Sequence, residues 1–435
     1  MLLLIEFKSP EFLKIIFKNG VLKPFKMAEN LPNIYLYNPT CEYAIANGKT
    51  SWQPNRILQK MESDLSALPL FFAQIDDFVL VDKIPSLEFI ASLKQIGIET
   101  PNFILKTEAI QNQQFINFQK NKLLPWGWSP AMHKFLSPLK ESCSVEFQQS
   151  PVISWKPEHR EITSRKFAAG ILNQLITTNH TDFILPIEFS PKICYTKNDI
   201  ENAIKQWGNI MIKAPWSSSG RGLQTITKTP VHPKVWEKIM GIIKEQGYTL
   251  VEPFLNKVLD LALQFELKKG KIEFLGISNF CTNKNGQYEG NHLNGLPGDV
   301  EERLLEFTDF AVREIRQSLI NAIETSEMAI YYEGVFGVDT LIYADANNLL
   351  KINPCLEINV RYTMGLLSLL LEKLINQNKK AVYRTYYKPG TSFYVFTKEM
   401  EMKYPLKISD NKIDSGFFAL TEAVEDSIFG AYLLV

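Results

Sequence analysis

The chain has 435 residues, and its 47 Lys and Arg side chains balance 47 Asp and Glu side chains, so its formal net charge at pH 7 is zero. This balance excludes a global field that attracts nucleic acid or an anionic membrane surface. A hydrophobic content of 45% and a charged content of 22% are typical of a folded protein, and the length predicts two or three domains.

The five cysteines lie far apart and form no CxxC pair. This argues against a disulfide framework and against a zinc site of the usual spacing, and it predicts reduced thiols in a cytoplasmic protein. Charged residues interrupt the apolar start of the chain, so no signal peptide is predicted, and no stretch approaches the ~20 apolar residues of a membrane-spanning helix. Residues 1–26 are expected to be peripheral, with Met27 as an alternative start.

The first region alternates short apolar strands with helical patterns. "NIYLYN", "DFVLVD" and "PNFIL" have strand character, while "SLEFIASLKQIG" has helical spacing closed by Gly97. This order predicts a small open α/β domain with a parallel, Rossmann-like sheet within residues 1–150. Asn38 and Glu42 follow the first strand, where open sheets bind ligands, so they either contact substrate or belong to a helix cap.

The second region, residues 151–247, begins with a predicted helix at 160–175 and a second at 197–207. Strand "NIMIKAP" then ends in Lys213 and leads into the loop "WSSSGRG". Small residues let backbone N–H groups approach phosphate oxygens, and lysine and arginine supply charge. The stretch is therefore either a polyphosphate cradle or an ordinary hairpin turn with a lysine at the end of a strand. It is not a Walker A loop, because a strand follows it.

The third region, residues 248–380, has the sequence pattern of antiparallel ribbons with turns at "KKGK" and "ADANN". Glu252 ends its first strand just before Pro253, and Asp260 lies eight residues later. Glu252 is placed to accept from a purine amino group and Asp260 from ribose hydroxyls; the alternative is that both face solvent. A long helix at 301–328 separates the ribbons, and the last segment, 381–435, is predicted to be mostly strands, among them "TSFYVFTK".

The stretch "LEINVRYTMG" carries an acid, an amide and a guanidinium at alternate positions, namely Glu357, Asn359 and Arg361. Alternate residues of a strand share one face. Carboxylate and amide oxygens suit Mg²⁺, and Asp339 on the preceding strand can reach the same face. Arg361 is suited to neutralise a transferred phosphoryl group. A surface strand with a chance Arg–Glu pair is the alternative.

These patterns occur in the order of the ATP-grasp superfamily, which residues 155–380 resemble. The resemblance implies a two-lobed clamp of antiparallel sheets with helices that closes on ATP, so that the whole chain is an α/β and α+β multidomain protein. It also implies a ligase that uses ATP and Mg²⁺ to activate a substrate carboxylate as an acyl phosphate, which an amine then attacks. A phosphotransferase on the same scaffold and a non-catalytic nucleotide-binding protein are the alternatives.

The resemblance assigns expected roles by motif. Lys213 and Arg361 are the expected catalytic residues, and Asp339, Glu357 and Asn359 the expected Mg²⁺ ligands. The expected nucleotide contacts are Arg165, Lys213, Ser217, Ser218, Ser219, Gly220, Arg221, Gly222, Glu252 and Asp260.

Three features depart from the family pattern. Asp339 and Glu357 are 18 positions apart, which is wide, and another register would place Lys351 and Asn353 at the metal. Charged lysine has no lone pair, so the Glu357 register is preferred with a bulge at Pro354. The first phosphate-contacting cation is either Arg165 or Lys166, and the phosphate loop has few glycines.

Two further features have open interpretations. The loop 283–295 offers Tyr288, Asn291 and His292 to an acceptor substrate, or is an ordinary solvent-exposed loop. Cys355 beside the metal motif is interpreted as a buried thiol and not as a nucleophile.

Overall fold

The computed structural model describes residues 31–179, 181–217, 222–283, 287–296 and 300–435. The expectations for residues 1–26, for Met27 and for Ser218, Ser219, Gly220 and Arg221 therefore fall outside the described residues. In the part of the chain that is described, no helix is long and apolar enough to cross a membrane.

A four-stranded parallel sheet begins the described chain, in the strand order β3-β2-β1-β4. Alternate residues of its central strands are buried on opposite faces, so both faces are covered, as expected of a parallel sheet. The predicted α/β character is confirmed. The strands are β1 Ile34–Leu36, β2 Phe78–Val81, β3 Asn102–Leu105 and β4 Leu123–Pro125, and the helices are α1 Cys41–Asn47, α2 Arg56–Asp64, α3 Leu87–Gln95, α4 Lys106–Gln111, α5 Gln113–Asn117, α6 Pro130–Phe135 and α7 Val145–Gln148.

A second, antiparallel sheet has the order β5-β8-β6-β7 and packs against two capped helices. Thr196 and Asp199 form a capping box at the first, and Gly247 in the left-handed conformation ends the second. The elements are α8 Pro157–Ile162, α9 Arg165–Thr178, β5 Lys192–Cys194, α10 Lys197–Trp207, β6 Ile210–Lys213, β7 Leu223–Ile226, α11 Pro233–Gln246 and β8 Thr249–Pro253.

The helix predicted at 160–175 is two helices. The break falls at Ser164, whose hydroxyl accepts from the backbone N–H of Phe167 and caps α9. Arg165 is consequently the first residue of α9, and its backbone N–H donates to the carbonyl of Pro215, 3.1 Å away, at the start of the predicted phosphate loop.

The third sheet has eight strands in the order β13-β12-β9-β10-β11-β14-β18-β17, and its C-terminal strands continue it through β11. Helices α9 and α12 cover the apolar face of its first strands. The elements are β9 Asn256–Lys268, β10 Lys271–Thr282, β11 Tyr288–Leu293, α12 Glu302–Glu324, α13 Met328–Tyr331, β12 Gly334–Ala344, β13 Leu350–Asn359, α14 Met364–Leu371, β14 Ala381–Tyr387, α15 Phe393–Lys403, β15 Lys407–Ser409, β16 Lys412–Ser415, β17 Phe417–Ala419 and β18 Phe429–Leu434.

The strand predicted at "TSFYVFTK" is wrong, because this segment begins helix α15. Ser392 caps the helix by accepting from the N–H of Val395, 3.2 Å away. Phe393 and Phe396, three residues apart, lie on one helix face and pack on Tyr386. The ring of Phe393 lies over Gly430, where a Cβ would approach its atoms to 2.3 Å.

Candidate active site

Glu357 and Asn359 lie at the end of β13, next to β12, and Arg361 follows two residues beyond the end of the strand. Asp339 lies directly opposite Glu357, and Gly337 lies opposite Asn359. The strand pairing therefore places the two carboxylates side by side on one face of the large sheet.

A bulge produces this register. Asn353 lies opposite Leu341, so three residues of β13 pass a single residue of β12, Thr340. Pro354 lies in this bulge, where it has no N–H to donate, and its carbonyl accepts from the Thr340 hydroxyl at 3.3 Å. Lys351 lies opposite Tyr343 near the turn, and its ammonium donates to the carbonyl of Asp182. The alternative register, with Lys351 at the carboxylates, is excluded by this pairing.

Asp339 is partly buried and lies beside the Glu357 carboxylate. Burial and the neighbouring Glu357 carboxylate raise its pKa to about 7, while the Arg361 charge and a hydrogen bond from Asn359 act in the opposite direction. Two facing carboxylates and one amide oxygen form a hard donor set that matches Mg²⁺, which typically takes its remaining ligands from phosphates and water. The described residues contain no group of three or more His, Cys, Asp or Glu side chains that fits a metal ion.

Arg165 joins the small antiparallel sheet to this carboxylate pair. Its Nη1 donates to the Ala214 carbonyl at 2.5 Å and to the Ser217 hydroxyl at 2.7 Å, and its Nη2 donates to Glu357 at 2.8 Å. The side chain is buried, and the Glu357 charge raises its pKa against the opposing effect of burial. Lys166 is exposed, so Arg165 is the cation that faces the site.

The small sheet pairs the two predicted nucleotide contacts with each other. The Lys213 ammonium lies 2.5 Å from a Glu252 carboxylate oxygen, and both side chains are largely buried. The Ala214 N–H donates to the Gly222 carbonyl at 2.9 Å and closes the base of the loop. A Cβ at Gly222 would lie 2.2 Å from the Ser217 hydroxyl oxygen, so this close approach requires glycine.

Asp260 lies on β9, two residues from Ala262, which is the residue opposite Asp339. Because alternate residues of a strand share one face, Asp260 lies on the same face of the sheet as Asp339. Its carboxylate accepts from Lys257 at 2.5 Å and from Thr282 at 2.9 Å. Neither partner belongs to a recognisable sequence motif. Because Thr282 is on the neighbouring strand β10, its proximity depends on the sheet register.

Arg361 points to the first domain. Its Nε donates to Glu42 at 2.9 Å, its Nη2 to the Asn359 side-chain oxygen at 2.8 Å, and its Nη1 to the Tyr362 carbonyl at 3.1 Å. Asn38 does not cap α1: its side chain exchanges hydrogen bonds with the backbone of Gly127. Glu42 is thus part of the polar chain around the carboxylates, an association that sequence analysis did not predict.

Other residues considered in the sequence have ordinary partners. Tyr288 donates to the Asn291 side-chain oxygen, and the His292 Nε2 lies 2.9 Å from the Cys281 thiol. Cys355 is buried, and burial raises its pKa, which agrees with its interpretation as an inert thiol.

Comparison with known proteins identifies the fold. No family model matches the chain, and no curated protein matches it significantly in sequence. Biotin carboxylase from Campylobacter jejuni, solved as a β-γ-ATP complex, aligns with 93% of this chain and 87% of its own at 14% identity and a TM-score of 0.50. N5-carboxyaminoimidazole synthetase from Staphylococcus aureus, solved with ADP, aligns with 93% of each chain at 15% identity and a TM-score of 0.45.

We call the parallel sheet with its helices the first domain, the four-stranded antiparallel sheet with its helices the small lobe, and the eight-stranded sheet with its helices the large lobe. Biotin carboxylase is an ATP-grasp enzyme, and its alignment covers 93% of this chain. The chain therefore has the ATP-grasp fold, with a parallel-sheet domain ahead of the two-lobed clamp.

Proposed function

We propose that the protein is an ATP- and Mg²⁺-dependent ligase that joins a carboxylate to an amine. The observation that supports this most is the Arg165 bridge, because one buried guanidinium connects the phosphate loop at Ser217 to the carboxylate pair at Glu357. Phosphoryl transfer requires positioning and charge neutralisation at such a junction, and little covalent help from the protein.

In this proposal the residues divide by lobe. Lys213, Arg165 and the loop from Ser217 to Gly222 contact the phosphates, with Glu252 at adenine and Asp260 at ribose. Asp339, Glu357 and Asn359 hold the Mg²⁺ ion, which when bound offsets the negative charge of the nucleotide phosphates. The biotin carboxylase with this fold was solved with a β-γ-ATP compound, which supports a nucleotide between the lobes.

The reaction has two steps. A substrate carboxylate oxygen attacks the γ-phosphorus, the bond to the β–γ bridging oxygen breaks, and ADP leaves with that bond's electrons. An amine nitrogen then attacks the acyl carbon, loses a proton, and displaces inorganic phosphate. In this proposal Arg361 neutralises the phosphoryl oxygens during the first step. Its guanidinium donates to the Glu42 carboxylate at 2.9 Å and to the Asn359 side-chain oxygen at 2.8 Å. The five free thiols support a cytoplasmic location.

The test is a screen for ADP release from amino-acid and peptide pools, with mass spectrometry of the products. An amide product with equal amounts of ADP and phosphate supports the ligase, whereas a stable phosphorylated product identifies a phosphotransferase. Nucleotide binding without ADP release in any pool identifies a non-catalytic binder.

Variants on one strand provide the controls. Glu357→Gln is expected to lower ADP release at least about 100-fold, because it removes the charge shared by Arg165 and the metal. Lys351→Gln, on the same strand but outside the site, is expected to retain wild-type release. Wild-type turnover by Glu357→Gln contradicts the assignment of this carboxylate.

A further inference from the structure

The end of β13 is docked against the carboxyl end of the parallel sheet of the first domain. The Tyr362 N–H donates to the Trp126 carbonyl at 2.8 Å, just beyond β4. Next to it, a Cβ on Gly127 would lie 3.2 Å from the Cβ of Arg361. This edge of an open sheet is where ligands commonly bind, and here it holds Arg361.

Glu42 supplies the charge in this contact. Its Oε1 pairs with Arg361 Nε at 2.9 Å, and the two side chains are only 12% and 15% exposed. Its Oε2 is buried and makes no hydrogen bond. The other two acceptors of Arg361 are neutral and belong to residues 359 and 362, which are two positions before it and one position after it in the chain.

The contact extends from Arg361 to the predicted metal ligands. Arg361 donates to the Asn359 side-chain oxygen, which fixes the amide so that its nitrogen donates to Asp339. An amide oxygen has two lone pairs, so it can accept from Arg361 and still face a cation. The Arg361 charge also interacts electrostatically with the Asp339 and Glu357 carboxylates. When the Glu42 charge is removed, these two carboxylates are the anions with which Arg361 can pair.

We propose that Glu42 is a positioning residue through which the first domain holds Arg361 away from the metal carboxylates and orients Asn359 toward the ion. The inference rests on the proposed function. Without the Glu42 charge, Arg361 pairs with Asp339 or Glu357 and competes with Mg²⁺ for them. The first domain thereby sets the metal affinity of a site that belongs to the large lobe.

The test measures ADP binding to the full-length chain by calorimetry, with excess Mg²⁺ and again with EDTA. Glu42→Gln is expected to raise the Kd for ADP about tenfold in Mg²⁺, as for the loss of one partner of a close charge pair, and by less than about twofold in EDTA. Glu42→Asp retains the negative charge, so we expect its Kd for ADP to depend on Mg²⁺ almost as in the wild-type chain.

Asp64→Asn is the matched control. Asp64 also docks the first domain, by accepting from the backbone N–H groups of Ile428 and Phe429 at 2.9 and 3.1 Å, but it does not contact Arg361. Asp64→Asn is expected to leave the Kd for ADP unchanged, both with Mg²⁺ and with EDTA. Equal weakening by Asp64→Asn and Glu42→Gln, or equal weakening with Mg²⁺ and with EDTA, overturns the inference in favour of a structural role.

If the Glu42→Gln chain does not fold, a double-mutant comparison still tests the inference. Glu42→Gln combined with Arg361→Gln replaces the pair by neutral groups, and it is expected to bind ADP with the affinity of Arg361→Gln alone. A further loss in the double variant overturns the inference. Absence of ADP binding by the wild-type chain contradicts the proposed function itself, and this result is distinct from the others.

Discussion

The single side chain of Arg165 contacts both lobes. A guanidinium can donate in several fixed directions at once, whereas an ammonium is a compact point charge. The three acceptors of Arg165 come from a strand end, a loop serine and the carboxylate Glu357. A lysine at this position cannot reach all three.

Arg165→Lys is therefore expected to lower ATP-dependent ADP release at least about tenfold, because an ammonium lacks the fixed donor directions that reach all three acceptors. Lys166→Gln removes the adjacent, exposed cation and is expected to keep wild-type turnover. The measurement is a coupled assay for ADP. A larger loss in Lys166→Gln than in Arg165→Lys contradicts the assignment of the phosphate-facing cation.

The raised pKa of Asp339 predicts a pH-dependent metal affinity. The carboxyl has a pKa of about 7 in the folded chain against 3.8 for an unperturbed Asp, so the folded state retains its proton between those values while the unfolded state does not. Its contribution to stability consequently decreases as the pH rises from about 4 to 7. Mg²⁺ requires the ionised form, so its affinity increases over the upper part of the same range.

We expect Mg²⁺ with ADP to raise the melting temperature more at pH 8 than at pH 6. Asp339→Asn cannot titrate, so its shift is expected to be smaller and to retain only the pH dependence that ADP itself contributes. Scanning fluorimetry of both proteins at both pH values measures this difference. The same pH dependence in Asp339→Asn and wild type excludes Asp339 as its source.

At the scale of elements, local sequence predicts most helices and strands, while tertiary contacts decide the exceptions. Helix α10 is predictable because Thr196 and Asp199 form its capping box. Helix α15 is not predictable from local sequence, because "FYVF" is rich in β-formers. The residues on which this helix packs, Tyr386 and Gly430, lie on strands β14 and β18. In the site, alternation predicts that Glu357, Asn359 and Arg361 share a face, but no spacing predicts Glu42, which is 319 positions from Arg361.

Lys120 fixes the end of helix α5 to the following loop. The side chain is fully buried, and its ammonium donates to the carbonyls of Phe115, Ile116 and Phe118 and to the Ser142 hydroxyl. Burial lowers its pKa to about 8. The side chain thus satisfies carbonyls that the helix end leaves without an N–H partner.

Lys120→Met keeps most of the packing volume but leaves these acceptors unsatisfied, so we expect it to lower the free energy of unfolding by about 3 kcal/mol. Lys134→Met, at an exposed position of α6, is expected to change it by less than about 0.5 kcal/mol. Urea denaturation measures both values. Equal stability of the two variants excludes this capping role.

At the scale of the whole molecule, Gly127 controls how closely the first domain approaches the large lobe. A Cβ there would lie 2.3 Å from the Cys41 sulfur and 3.2 Å from the Cβ of Arg361. Gly127→Ala is expected to lower the free energy of unfolding by about 2 kcal/mol through overpacking, and to weaken ADP binding in Mg²⁺ because Arg361 is displaced.

Two variants separate this effect from glycine replacement in general. Gly170→Ala, on α9 with no atom within 4 Å of the added Cβ, is expected to stabilise the chain slightly. Cys41→Ala combined with Gly127→Ala removes the closest clash and is expected to recover part of both losses. Calorimetric titration with ADP and urea denaturation of the same samples measure the two quantities. If Gly127→Ala loses stability but retains wild-type ADP affinity in Mg²⁺, the position of the first domain does not control the site in the large lobe.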